Sequence, residues 1–286
     1  MHDRLIVGFD GSEQSQTALR WAAAEAETRK ASVRVISSYS MPPVMDYFGL
    51  GTASASPESL ERLRQRCVTA LRAAVAESVR NHPGVGFDER AVKEPPVERL
   101  LGEAAHADLL VVGQNGLGAV RDFLLGSVTG ALLHESTCPV AVVPAVLPGR
   151  TGRIVVGVDS SDPAAAALHW AADEADRLGT ELVITHAWHY PYKLTVEGTA
   201  RGSALSQVDA ALVVDEAVED ARNRMAGDVV GRLVEASAAQ ALLDAGDTAD
   251  MVVVGSRGHG GFRSMLLGSV AHTVAARASC PVVVVR

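Results

Sequence analysis

The chain repeats itself, and that duplication constrains its fold more than any other feature. Residues 4–30, RLIVGFDGSEQSQTALRWAAAEAETRK, lie without a gap over 153–179, RIVVGVDSSDPAAAALHWAADEADRLG. Gly8/Gly157, Asp10/Asp159, Ser12/Ser161, Leu19/Leu168 and Trp21/Trp170 all coincide. Later, VVGQNGLGAVRDFLLGSV (111–128) returns as VVVGSRGHGGFRSMLLGSV (252–270), and STCPVAVVP (136–144) returns as ASCPVVVVR (278–286). The offset is 149 residues at the first block and 142 at the second, so the second copy is seven residues shorter in its middle. Two copies of one unit are expected: a domain over 1–146, a linker over 147–152 with Pro and Gly and no apolar periodicity, and a domain over 153–286.

Within a copy, strand and helix signals alternate. Leu5 to Phe9 is a continuous apolar run closed by Asp10, as in a parallel strand covered on both faces. Ser12 suits the N-cap of a helix over 13–29, and Pro163 falls in the first turn of its counterpart. Val33–Ser38 and Leu182–Ala187 read as second strands, followed by loops over about 39–56 and 188–206. Ser56-Pro57 opens a helix with Leu60, Leu63, Cys67, Leu71 and Val75 at helical spacing, ended by His82-Pro83-Gly84. A third strand near 85–93, a short helix over 96–106, a fourth strand at Asp108–Val112, a helix from Ser127 and a fifth strand at Pro139–Val143 complete the copy. The fold class is α/β: two tandem Rossmann-like domains, each a five-stranded parallel sheet with helices on both faces and right-handed crossovers. Ligands of such sheets sit beyond the carboxyl ends of the strands, where strand order reverses. Asp10, Ser38 and Gly113 lie at such ends and converge on one crevice.

Each copy also holds Gly, two residues, Gly, nine residues, Gly-Ser: Gly113, Gly116, Gly126, Ser127 and Gly255, Gly258, Gly268, Ser269. A strand feeding a glycine loop into a helix N-terminus suits phosphate, because bare backbone N–H groups and the positive helix end face the anion. The bland alternatives are tight turns without a ligand and, for Asp10 and Asp159, helix capping. Cys138 and Cys280 precede prolines and read as small buried side chains, as does Cys67 on its apolar helix stripe. The histidines, His186 and His259 among them, lack metal-ligand spacing, and Trp21 and Trp170 sit among alanines as packing residues. Asp215, Glu216, Glu219 and Asp220 read as a solvated helix face.

A net charge of -8 argues against a nucleic-acid binder held by phosphate attraction. Apolar runs are strand-sized, so no membrane span is expected, and the first residues carry no cleavable signal pattern. Three cysteines without metal or CxxC spacing fit a reducing, cytoplasmic setting.

The strand-end aspartate in VGFDGS and VGVDSS, the ADLLVVG and ADMVVVG strands, the duplicated glycine pattern and the closing CPVAVVP and CPVVVVR strands resemble the universal stress protein family in its tandem form. The resemblance covers essentially the whole chain and implies an adenine nucleotide alpha hydrolase-like fold of the ATP-binding branch. It assigns Asp10 and Asp159 to the ribose or adenine side, and the backbone of Ser38 and Ala187 to the adenine edge. Val112, Gly113, Val254 and Gly255 would line the ribose. Gly116, Gly126, Ser127 and Val128, with Gly258, Gly268, Ser269 and Val270, would hold the phosphates of ATP, with or without Mg²⁺. The copies differ at Asn115/Arg257, whereas Arg121 and Arg263 match; a guanidinium at 257 would favour triphosphate in the second site. Glu94-Pro95-Pro96 departs from the family, which often has a glycine there. The resemblance also implies that fifth strands pair between the two halves, and a homodimer of the whole chain. A nucleotide-dependent regulator of stress response or growth is the leading reading. A slow ATPase or nucleotidyl transferase is the second, although no GK[ST] lysine, SGG-type loop or clear general base supports it. A nucleotide-free interaction protein is the third.

Overall fold

The computed structural model describes residues 4–39, 44–45, 52–53, 57–116, 125–188, 200–258 and 267–286. The first half runs β1 (Arg4–Gly8), α1 (Glu13–Arg29), β2 (Ser32–Ser38), β3 (Val44–Met45), β4 (Thr52–Ala53), α2 (Pro57–Asn81), β5 (Gly86–Val92), α3 (Pro96–Ala104), β6 (Leu109–Gly113), α4 (Ser127–Glu135) and β7 (Val140–Val143). The second runs β8 (Arg153–Gly157), α5 (Asp162–Leu178), β9 (Glu181–Trp188), α6 (Ala200–Arg224), β10 (Val229–Glu235), α7 (Ala238–Gly246), β11 (Met251–Gly255), α8 (Ser269–Arg277) and β12 (Val282–Val285). The mixed α/β architecture and the parallel sheets read from the sequence are present in both halves.

Five strands from each half join one ten-stranded sheet, in the order β10-β9-β8-β11-β12-β7-β6-β1-β2-β5; the two-residue β3 and β4 pair only with each other. Neighbours within a half are parallel. The seam is antiparallel, with Val282 opposite Val142, Val283 opposite Ala141 and Val284 opposite Val140. β7 and β12 are wholly buried VAVV and VVVV runs. Neither has a charge or proline to protect a free edge, so mutual pairing satisfies both.

The strands bury both faces with a period of two. Leu5, Val7, Leu109 and Val111 point to one core, with α1, α2, α5 and α6 over it. Ile6, Leu110, Val112, Val252 and Val254 point to the other, beneath α3, α4, α7 and α8. Both cores draw on both halves, so each sheet face is covered continuously. Chain order reverses between β1 and β6 and between β8 and β11. These are the crevices where a ligand fits.

The predicted caps form: Ser12 accepts from Ser15 N at the start of α1, and Ser161 from Ala164 N at the start of α5, with proline in the first turn of the latter. Four expectations are adjusted. α6 begins at Ala200, inside the stretch expected to be loop to about 206, and the paired β3 and β4 lie inside the loop expected over about 39–56. The short third helix ends at Ala104. Cys67 is half-buried, because α2 buries only Leu71, Val75 and Ser78, leaving its first turns outside the core; the thiol lies 2.8 Å from Ser37 Oγ.

Candidate functional site

Both crevices begin at the strand-end aspartates. Asp10 Oδ1 accepts from the Ser12 amide at 2.9 Å and the Ser12 hydroxyl at 2.6 Å. Asp159 accepts from the Ser161 amide at 3.2 Å and hydroxyl at 2.6 Å. Neither aspartate caps the following helix; each fixes the serine that does. The residue after each aspartate is left-handed, Gly11 at φ 86° and Ser160 at φ 62°, which turns the chain from strand into helix. The second carboxylate oxygen lies against the loop: Asp10 Oδ2 is 2.5 Å from where a Cβ on Gly116 would stand, and Asp159 Oδ2 approaches the Gly258 position more closely still. Strand-end acid and glycine loop therefore touch in both halves.

The loops close on the helices after them. Gly126 N donates to Gln114 O at 3.0 Å and Gly268 N to Ser256 O at 2.7 Å. Thr129 Oγ1 donates to Gly113 O at 2.8 Å. Gly126 and Gly268 are the N-caps of α4 and α8, no side chain caps either helix, and Ser127 and Ser269 are exposed. No side-chain cap engages the first-turn N–H groups of either helix, which carry the helix's partial positive charge.

In the second half a cavity of about 270 Å³ occupies this place. Asp159, Ala187, Val254, Gly255, Gly258, Gly268, Ser269 and Val270 all line it. In the first half Asp10, Gly116 and Gly126 are drawn together by the contacts above, Val112 packs 3.1 Å from the Gly8 Cβ position, Gly113 receives the first turn of α1, and Ser38 ends β2, the strand paired with β1. Val128 stands in the first turn of α4. Arg257 lines the second cavity, whereas the Oδ1 of its counterpart Asn115 is buried without a partner. Arg121, Arg263 and His259 lie outside the described residues.

Thr185, Ala238 and Leu242, which no sequence motif marks, line the same cavity, and His186 stands on its wall. His186 Nδ1 donates to Val158 O at 2.7 Å, which fixes the ring beside the strand end. A hydroxyl interrupting the apolar run LVI of β9 was the available signal for Thr185. The buried cysteines stay structural: burial pushes the Cys280 thiol up to about 12 and Cys138 in the same direction. Among the described residues no cluster of ligating side chains could hold a metal, and no helix is long and apolar enough to cross a membrane.

Residues 1–144 and again 151–286 match the model of the universal stress protein family. The chain belongs to that family. A universal stress protein of Mycolicibacterium smegmatis is 33% identical over 288 residues, covering 99% of this chain and 96% of its own length. One from Mycobacterium tuberculosis is 33% identical over 292 residues, again covering 99% and 96%. Among solved structures, a universal stress protein from Archaeoglobus fulgidus superposes with a TM-score of 0.68 at 21% identity, over 99% of this chain and 98% of that one, a likeness of fold. The similarity to these universal stress proteins thus runs through both halves of this chain.

Proposed function

We propose that this chain is a cytoplasmic, ATP-binding universal stress protein that acts as a nucleotide-dependent regulator in stress response or growth control. Each of its two domains, 1–146 and 153–286, would hold one nucleotide, with the linker at 147–152. The observation that carries this reading is the convergence of eight residues from separate elements of the second half on one cavity beside the uncapped start of α8. Strand-end backbone at Ala187 suits the base, Asp159 suits the ribose, and Gly268-Ser269-Val270 suit the phosphates. Arg257 on the wall adds a cation near that helix start and favours the triphosphate. The first half carries the same contacts between Asp10, Gly116 and Gly126. The alternative of a slow ATPase or nucleotidyl transferase finds less support, because Oδ1 of each strand-end acid is engaged by Ser12 or Ser161. Pairing of β7 with β12 supports the two halves working as one body, and a homodimer would add a second such body.

Mass spectrometry of the nucleotide released from purified full-length protein tests the reading. Two adenine nucleotides per chain are expected, falling to one in Gly126→Val. Release of none from a protein that also takes up no added ATP, or an unchanged count in the variant, would overturn it.

A further inference from the structure

The two halves place their buried, unpaired hydroxyls at different positions on the second strand. Thr185, near the end of β9, is 3% exposed, and its hydroxyl has no hydrogen-bond partner although it borders the second cavity. Its backbone is fully engaged in the sheet: its carbonyl accepts from Val158 N at 3.1 Å, and it stands opposite Gly157 on β8 and Arg232 on β10. Position 36 of the first half matches it in the repeat, and there Ile36 is 2% exposed in the core beneath α3. Two residues further on the order is reversed. Ala187 ends the second crevice, while the first has Ser38, whose hydroxyl is likewise buried without a partner. Each half therefore holds one unpaired hydroxyl near the end of its second strand, on the same sheet face, but the two stand one pleat repeat apart, roughly 6.6 Å.

An unpaired buried hydroxyl carries a desolvation cost that valine, its isostere, would avoid. Nothing in the packing around Thr185 recovers that cost, and the first half fills the position with isoleucine. We infer that Thr185 is a specificity-determining residue of the second site, its hydroxyl hydrogen-bonding the polar edge of an uncharged heteroaromatic base seated in the cavity. The first site, with Ile36 at that depth, makes no such contact and reads its base nearer the rim, at Ser38. The two sites of one chain are thus chemically distinct. This inference rests on the nucleotide reading above and specifies how one of its two sites recognises the base.

Calorimetric titration of the full chain with ATP tests it, beside Thr185→Val and Thr185→Ser. One of the two sites should weaken about tenfold in Thr185→Val while the other is unchanged, and Thr185→Ser should retain most of the affinity. The unliganded valine variant should melt at or above the wild-type temperature, which a structural role for the hydroxyl would not allow. Unchanged affinity at both sites in Thr185→Val overturns the inference and leaves the nucleotide reading standing. A valine variant that loses affinity and melting temperature together also overturns it, by making the hydroxyl structural. A wild-type chain that binds no ATP removes the nucleotide reading and this inference with it.

Discussion

The glycines of each loop are glycines for different reasons. At Gly113 a Cβ would stand 2.8 Å from Gln14 Cβ and 3.0 Å from the Gln14 carbonyl carbon, so the small residue admits the first turn of α1. Gly255 does the same for Pro163 and Ala164 in α5. At Gly116 the space belongs to the Asp10 carboxylate, which two hydrogen bonds to Ser12 hold in place. At Gly126 the nearest described atom to a Cβ is Asn115 Cα at 3.6 Å, an ordinary contact, so a close-approaching ligand gives that position its best reason to be glycine. These distances yield a double-mutant test. Gly116→Ala displaces the aspartate and should destabilise the chain by about 1 kcal/mol, and the same change in an Asp10→Ala background should cost much less. Urea denaturation of the four variants measures that coupling; purely additive effects would show that the two residues do not contend for the same space. The repeat made the glycine positions legible, but it does not reveal which atom stands opposite each one. Only the fold brings Asp10 across to Gly116, more than a hundred residues away along the chain.

Helix starts were legible for a similar reason and helix burial was not. Ser12, Ser161 and Pro163 act within a few residues of their own position, so their chemistry is local and readable. How far α2 extends beyond the sheet depends on where β5 lies, which is a tertiary fact, and Cys67 was accordingly read as deeper than it is. The helix ends hold a further comparison between the copies. α1 closes on Lys30 at φ 54° and α5 on Gly179 at φ 63°, and both residues use their N–H to bond the last carbonyls of the helix. Glycine tolerates that left-handed conformation, whereas a side chain with a Cβ is strained there. Lys30→Gly should therefore stabilise the chain by about 1 kcal/mol, and Gly179→Lys should destabilise it by a similar amount. Chemical denaturation of the two variants checks both signs, and a loss of stability in Lys30→Gly would show that the lysine side chain contributes more than its backbone strain costs.

At the scale of the molecule, the halves are joined by more than the β7–β12 seam. Gln114, inside the first glycine loop, donates to Ala275 O near the end of α8 at 3.0 Å, and Arg286, after β12, donates to Leu133 O near the end of α4 at 3.1 Å and to His134 O. On the opposite sheet face α1 meets α5 through a largely buried group of four ionisable side chains. Arg177 reaches Glu25 at 2.8 Å and also Glu174, Arg29 bonds Glu174, and the Arg29 guanidinium lies 5.4 Å over the Trp170 ring. Glu25 and Glu174 occupy matching positions in the repeat and are 7% and 3% exposed. Burial, and then the neighbouring Glu25 carboxylate, push Glu174 from its ordinary 4.5 to about 8, against the opposing pull of Arg29 and Arg177. The linkage has a definite sign. Below about 4.5 Glu174 is protonated in both folded and unfolded chains; between that value and about 8 only the folded chain holds the proton, so its contribution to stability falls as pH rises and levels off above about 8. Glu174→Gln keeps a neutral hydrogen-bonding side chain that cannot titrate. Melting temperatures of wild type and variant across this range should therefore diverge, with the glutamine variant gaining relative to wild type as pH rises. Parallel profiles, with no divergence between about 4.5 and 8, would mean that the two arginines keep Glu174 ionised throughout and that a fully charged quartet ties the halves together.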